Sequence, residues 1–218
     1  MPLELGYPTD DEFASFVPMT FEAMGGRSEF VNTVWPEGFT KEGQEMSRQR
    51  FLFLKKIDPT CKWVKVTDNE TNEIIGVAQW NVYEGQKPPE MIVDGPPGTW
   101  KDETEKEYAQ ELFKAYMEKR WKFIRENKLP LMCLNIMTVA PQHQYRGAGT
   151  LMMQWGVQLA DSIGAACIIE ATTEGRWLYE KSGFKLQEHW TLDVPERFKD
   201  RPKQRLFFMV RPRTSGQP

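Results

Sequence analysis

Residues 131–171 read LMCLNIMTVAPQHQYRGAGTLMMQWGVQLADSIGAACIIEA, and this stretch decides the fold. Its first nine residues, 131–139 (LMCLNIMTV), form an apolar run of strand length. Ala140 and Pro141 end it, because proline has no N–H to give to a ladder. The segment Gln144-Tyr145-Arg146-Gly147-Ala148-Gly149-Thr150 follows, and then a helical pattern over 151–163 carried by Leu151, Met152, Trp155 and Leu159. Gly164 stands where a helix ends in a left-handed residue. A second buried strand, 166–171 (ACIIEA), completes a strand–loop–helix–strand unit with its glycines at the helix start.

Such a loop suits a pyrophosphate for a physical reason. The first turn of a helix has four N–H groups without internal partners, and the peptide dipoles place about half a positive charge there. Gly147 and Gly149 have no Cβ, so phosphate oxygens can approach the backbone closely. Arg146 adds a mobile counter-charge at the rim, and Thr150 a hydroxyl donor. On this pattern alone other readings stay open. Glycine-rich turns before helices are commonly just turns. A dinucleotide-binding unit would need GxGxxG with an acidic residue about twenty positions on. Here the third glycine is missing, although Glu170 ends a strand at a suitable distance.

Outward from this core, residues 62–67 (KWVKVT) and 73–83 (EIIGVAQWNVY) read as a hairpin about the polar turn 68–72. Residues 9–24 suggest a short helix opened by Asp10 and Asp11, and residues 40–54 a second, with Gln44, Arg48 and Arg50 largely on its solvent side. The Pro/Gly-rich stretch 84–98 is a loop feeding a helix over 104–127, on which Leu112, Phe113, Tyr116, Phe123 and Ile124 recur at helical spacing. The flanking strands have no separate cores. The expectation is therefore one domain over 1–211, with a helical insertion at about 84–130 and a flexible tail at 212–218.

Composition narrows the function classes. The 218 residues carry a formal net charge of −3, which offers no general basic face to nucleic acid. Three widely spaced cysteines, Cys61, Cys133 and Cys167, and two histidines, His143 and His189, give no metal-ligand spacing, so no metal is expected and the thiols read as reduced and buried. No leader pattern opens the chain and no apolar run is long enough to span a bilayer, so the expected location is cytoplasmic, with no membrane partner.

The motif Val139-x-Pro141-x-x-Gln144-x-x-Gly147-x-Gly149 resembles the cofactor-binding motif of the GNAT N-acetyltransferase superfamily. Downstream, Leu178-Tyr179-Glu180-Lys181-Ser182-Gly183-Phe184 resembles that superfamily's second signature, at the family's interval. The resemblance is strong over 131–190, featureless over 62–83 and weak over the first 60 residues. It implies an α/β fold: a mixed, twisted central sheet whose middle strands splay apart, flanked by helices. It also implies acetyl-CoA as co-substrate, its pantetheine arm beside 136–139 (Met137, Thr138 and Val139 in particular) and its pyrophosphate on Gln144, Tyr145, Arg146, Gly147, Ala148, Gly149 and Thr150. Where the family often has asparagine this chain has Thr172, so one bond to the arm is altered or lost. Gly175 matches a small residue that keeps room for the cofactor.

The chemistry implied is transfer of an acetyl group to a small-molecule amine by direct attack in a ternary complex. Positioning the two reactants supplies much of the rate without a covalent intermediate, and a backbone N–H near Val139 could polarise the carbonyl. The matching tyrosine, Tyr179, is the candidate general acid for the departing thiolate; read from its residues alone it is rather a half-buried aromatic of a helix, packing with Leu178. Glu170 is the candidate base, acting through water, with a surface or paired carboxylate as the equal alternative. Asn135 and Thr138 are placed to hold water. His143 and His189 read as structural. Phe30, Trp35, Phe39 and Trp80 are the aromatics available for an acceptor pocket, with 84–100 as a lid. A non-catalytic acyl-CoA-binding protein and an O-acyltransferase share these motifs, and the sequence fixes neither acceptor nor oligomeric state.

Overall fold

The computed structural model describes residues 3–24, 26 and 28–214. The end of the expected tail, 215–218, lies outside them. In chain order the elements are β1 (Leu3–Gly6), α1 (Phe13–Met24), α2 (Glu29–Val34), α3 (Lys41–Ile57), β2 (Cys61–Asp68), β3 (Glu73–Tyr83), α4 (Glu103–Glu126), β4 (Leu131–Val139), α5 (Ala148–Ile163), β5 (Ala166–Ala171), α6 (Thr173–Lys181), β6 (Lys185–Thr191) and β7 (Arg205–Arg211). Short 3-10 turns sit at Pro141–His143 and Glu196–Phe198.

The strands form one mixed sheet in the order β1-β2-β3-β4-β5-β7-β6, flanked by helices as expected. Every neighbouring pair is antiparallel except β4 and β5, which are parallel because α5 returns the chain to the sheet between them. That pairing runs only from Leu131↔Ala166 to Leu134↔Ile169. Beyond it β4 stays on β3 while β5 stays on β7, so the two middle strands part.

A skipped residue marks the fork. Gln79 pairs with Ile136 and Trp80 with Leu134, which leaves Asn135 as an extra residue in β4, a bulge. The bulge shifts the side-chain alternation. Met132 and Leu134 face the α5 side before it, whereas Met137 and Val139 face that side after it. Leu131 and Cys133, and then Ile136, belong to the clusters on the opposite face.

On the first face α5 lies across β1–β4, and Trp80 is wholly buried beneath Gly156, where a Cβ would come within 2.4 Å of Trp80 Cζ2. Trp80 is therefore core, not pocket lining, which corrects one expectation. On the second face α1 and α3 enclose an aromatic cluster of Phe13, Phe16, Phe51 and Trp63. The insertion helix α4 packs along α2 and, through Ile124, over β4, β5 and β7.

Arg50 corrects a second expectation. It does not face solvent; its guanidinium lies 3.9 Å over Trp35 and 5.8 Å from Trp100, and donates to the Val34 carbonyl at 2.8 Å. Burial lowers its pKa to about 10. The two tryptophans come from segments far apart in sequence, so helical spacing in α3 gave no sign of them. No helix among the described residues is long and apolar enough to cross a membrane.

Candidate functional site

The fork between β4 and β5 and the start of α5 lie at one end of the sheet, joined by the turn 140–147. Gly147 is the residue before α5, with φ 99°, a left-handed conformation that glycine adopts without strain. A Cβ there would meet nothing within 4 Å, so the space above the loop is open. Gly149 has a different constraint: a Cβ would come within 3.0 Å of Leu178 Cδ2, so its bareness also lets α6 pack against α5.

The four helices α2, α3, α4 and α6 are each capped by a side-chain oxygen, from Ser28, Thr40, Asp102 and Thr172 respectively. No side chain caps α5. Its first internal bond is from Leu151 N to Gly147 O, which leaves the amides of Ala148, Gly149 and Thr150 without a hydrogen-bond partner among the described residues. Bare amides at a helix start, with the dipole behind them, form an anion cradle. Tyr145, also at positive φ (61°), is fully exposed beside it, and Gln144 Nε2 lies 3.5 Å from the Val139 carbonyl.

Arg146 is not the mobile rim charge expected from the sequence. Its Nη2 donates to Asp68 Oδ2 at 2.6 Å, and Nη1 meets His143 Nδ1. His143 Nε2 is 3.4 Å from Glu73. The hydrogen bond from Arg146 holds the Asp68 carboxyl below the usual carboxylate range. Asp68 was expected in a polar turn; it is the buried last residue of β2 and ties the loop to the hairpin.

At the fork, Glu170 is closed to solvent. Arg120 of α4 donates from Nε to its Oε1 at 3.0 Å and from Nη2 to its Oε2. The Glu170 side chain is 0% exposed and that of Arg120 5%. Arg120 also donates to the Leu134 carbonyl at 3.0 Å and to Asn135 Oδ1. The paired-carboxylate alternative is thus what the geometry presents: both Glu170 oxygens are engaged, leaving no accessible face for a base. Thr138 is buried, its hydroxyl 3.4 Å from that of Thr20.

Tyr179 is buried on α6, and burial raises its pKa above the ordinary phenol value. Its hydroxyl makes no hydrogen bond among the described residues. Gly175 corrects an expectation, since the room it keeps is filled by the Tyr179 ring. Thr172 likewise has a use of its own, accepting from Gly175 N at 3.5 Å as the cap of α6. Tyr116 of α4 stacks on Phe30 with ring centroids 3.9 Å apart; burial raises its pKa, and the Glu170 carboxylate adds to the rise. Trp35 packs on Phe51, and Phe39 is largely exposed. The segment 84–100 is tethered: Trp100 Nε1 donates to the Thr33 carbonyl, Gln110 Nε2 to the Val93 carbonyl, and Lys106 pairs with Asp94. His189 lies beside Phe207 on the outer strand pair.

The thiols are poor nucleophiles here. Burial pushes Cys133 and Cys167 up to about 12 and Cys61 to about 11. Among the described residues no group of His, Cys, Asp or Glu is arranged to hold a metal ion. Sequence reading missed Arg120 and Asp68. One signal for Arg120 was available: it fills the stripe position between Tyr116 and Ile124, one turn from each, where a solvated charge has no place.

No family model and no curated protein sequence matches the chain. Solved structures do match along its full length. An acetyltransferase from Corynebacterium glutamicum related to histone acetyltransferase HPA2 is 18% identical, with 100% of each chain covered and a TM-score of 0.62. The GNAT superfamily phosphinothricin acetyltransferase of Sinorhizobium meliloti, solved in complex with AcCoA, is 16% identical over 100% of this chain and 94% of its own, at 0.59. Arylalkylamine N-acetyltransferase 2 from Aedes aegypti is 15% identical over 96% and 98%, at 0.63. With its strand order, its parted middle strands and these full-length likenesses, the chain has the fold of the GNAT superfamily acetyltransferases.

Proposed function

We propose that this chain is an acyltransferase that uses acetyl-CoA to acetylate the amine of a small molecule within a ternary complex. One observation carries the reading: the three bare amides at the start of α5, beside an open space over Gly147 and next to the parted edge of β4. A pyrophosphate would take the amides of Ala148, Gly149 and Thr150, with the Thr150 hydroxyl and Gln144 and Tyr145 at the rim. Arg146, pinned by Asp68, adds a fixed positive charge rather than a mobile one. The free edge of residues 136–139, with Met137, Thr138 and Val139, would pair with the pantetheine amides as a further strand does.

The amine nitrogen attacks the thioester carbon, the oxyanion is met by backbone N–H at the end of β4, and the C–S bond breaks. Tyr179, a phenol protonated at neutral pH and raised further by burial, donates its proton to the departing sulfur. The proton that the attacking nitrogen sheds leaves to water, since Glu170 is occupied by Arg120, and water returns a proton to the Tyr179 phenolate. Thr172 and Gly175 act through α6, holding Tyr179 in place. The stacked rings of Phe30 and Tyr116, with Trp35, would wall an acceptor site.

A second reading, a non-catalytic acyl-CoA-binding protein, is favoured by that same engagement of Glu170. Calorimetric titration with acetyl-CoA, alongside release of free thiol with a panel of amines, separates the two. Wild type is expected to bind in the micromolar range usual for enzymes and to release thiol. Gly147→Glu places a carboxylate in the cradle and is expected to abolish binding while staying folded. Undiminished binding by that variant would overturn the proposed loop site.

A further inference from the structure

A hydrogen-bonded line crosses the sheet at the fork, with Gln79 donating to Asn81 Oδ1 at 3.1 Å and Asn81 to Thr60 Oγ1 at 2.7 Å as side branches. Arg120 donates to Asn135 Oδ1, Asn135 Nδ2 donates to Asn81 Oδ1, and Asn81 Nδ2 donates to Asp58 Oδ2 at 2.8 Å. The second Asn135 proton goes to Gln79 Oε1 at 2.8 Å. The line joins α4, β4, β3 and the turn before β2, so its members come from four places in the sequence.

Its ends dictate its direction. A guanidinium is donor only and a carboxylate acceptor only, whereas an amide has one of each end. With Arg120 at one terminus and Asp58 at the other, only one orientation of both asparagines satisfies every member. Two amides aligned head to tail between opposite charges polarise each other, and partly satisfied buried networks are costly. Asn135, the member next to Arg120, is the extra residue of the β4 bulge, and Arg120 also holds the Leu134 carbonyl beside it. The line therefore grips β4 where it leaves β5.

We infer that Arg120, Asn135, Asn81 and Asp58 are positioning residues that set the course of residues 136–139. The insertion helix thereby belongs to the working site although it touches no reacting atom. The inference rests on the proposed binding edge, and it deepens that reading by naming what holds the edge.

Asn81→Leu removes the central link at a distance from any bound molecule, and Asp58→Asn keeps an acceptor oxygen but removes the terminal charge. Residue-resolved amide exchange is expected to speed at 136–139 by tenfold or more in Asn81→Leu, and by less in Asp58→Asn, with 131–134 unchanged. Acetyl-CoA affinity in Asn81→Leu should fall by about tenfold, the scale of one hydrogen bond in a charged network. In the double variant with Arg120→Met, the loss should not exceed the larger single loss, whereas independent sites would multiply. A line that only stabilises the fold would speed exchange evenly along β4. Even exchange, or wild-type affinity in a folded Asn81→Leu, would overturn the inference. If the wild type binds no acetyl-CoA, the proposed function fails, and the exchange pattern alone decides whether the line positions the strand.

Discussion

A Cβ placed on Gly175 would lie 2.7 Å from Tyr179 Cε2 and 2.9 Å from its hydroxyl oxygen. The phenol ring therefore rests on bare backbone one turn earlier in the same helix, and its hydroxyl is positioned by what Gly175 lacks. Tyr179→Phe keeps the ring and removes the proton. Turnover is expected to fall by about 10²-fold, the lower range for a lost general acid, with acetyl-CoA affinity within about twofold. Gly175→Ala should also depress turnover, although the hydroxyl is still present. Steady-state thiol release with calorimetry measures both; turnover of Tyr179→Phe within twofold of wild type would remove Tyr179 from the chemistry.

The buried pair of Arg120 and Glu170 makes a stability prediction of its own. Arg120→Met leaves a carboxylate in the interior without its counter-charge, which costs about 3–5 kcal/mol in comparable sites. Arg120→Met combined with Glu170→Leu should recover most of that loss, because well-packed apolar replacements of buried pairs are often neutral. Urea denaturation of the three proteins checks it. A single variant that loses less than about 1 kcal/mol would mean that water reaches the pair.

Asp68 supplies a test in pH. Its folded pKa is lowered by the hydrogen bond from Arg146, so the unfolded chain holds that proton more tightly than the folded one. The contribution is complete above the ordinary carboxylate value near 4 and is lost as pH falls through the lower folded value. Asp68→Asn removes it, and the variant's urea midpoint should decline less steeply than wild type below about pH 4. Parallel acid limbs would show that the ion pair contributes nothing to acid stability.

The strands that define the fold were readable because each is a long apolar or alternating run with a sharp stop. The expected spans 73–83, 131–139 and 166–171 coincide with β3, β4 and β5. The short elements were not readable: β1 is four residues with a glutamate inside, and α2 is a six-residue helix that depends on Ser28 and on contacts with α4. Arg50 and Trp80 show the reverse limit. A cation between two tryptophans and a tryptophan under a glycine are set by partners 15 or more positions away, and periodicity within one element carries no information about them. The glycines at 147 and 149 drew one explanation from the sequence and received two from the structure, an open cradle at the first and helix packing at the second.

Strands alternate their side chains with a period of two, so a single supernumerary residue inverts everything that follows it. In β4 that residue is Asn135. Were it to take a regular ladder position against β3 instead of bulging, the last four residues would turn over. Ile136 and Thr138 would then point at α5, and Met137 and Val139 at α1. The apolar pair that now packs against α5 would leave that core, so one bulged residue decides which side chains border the gap between β4 and β5.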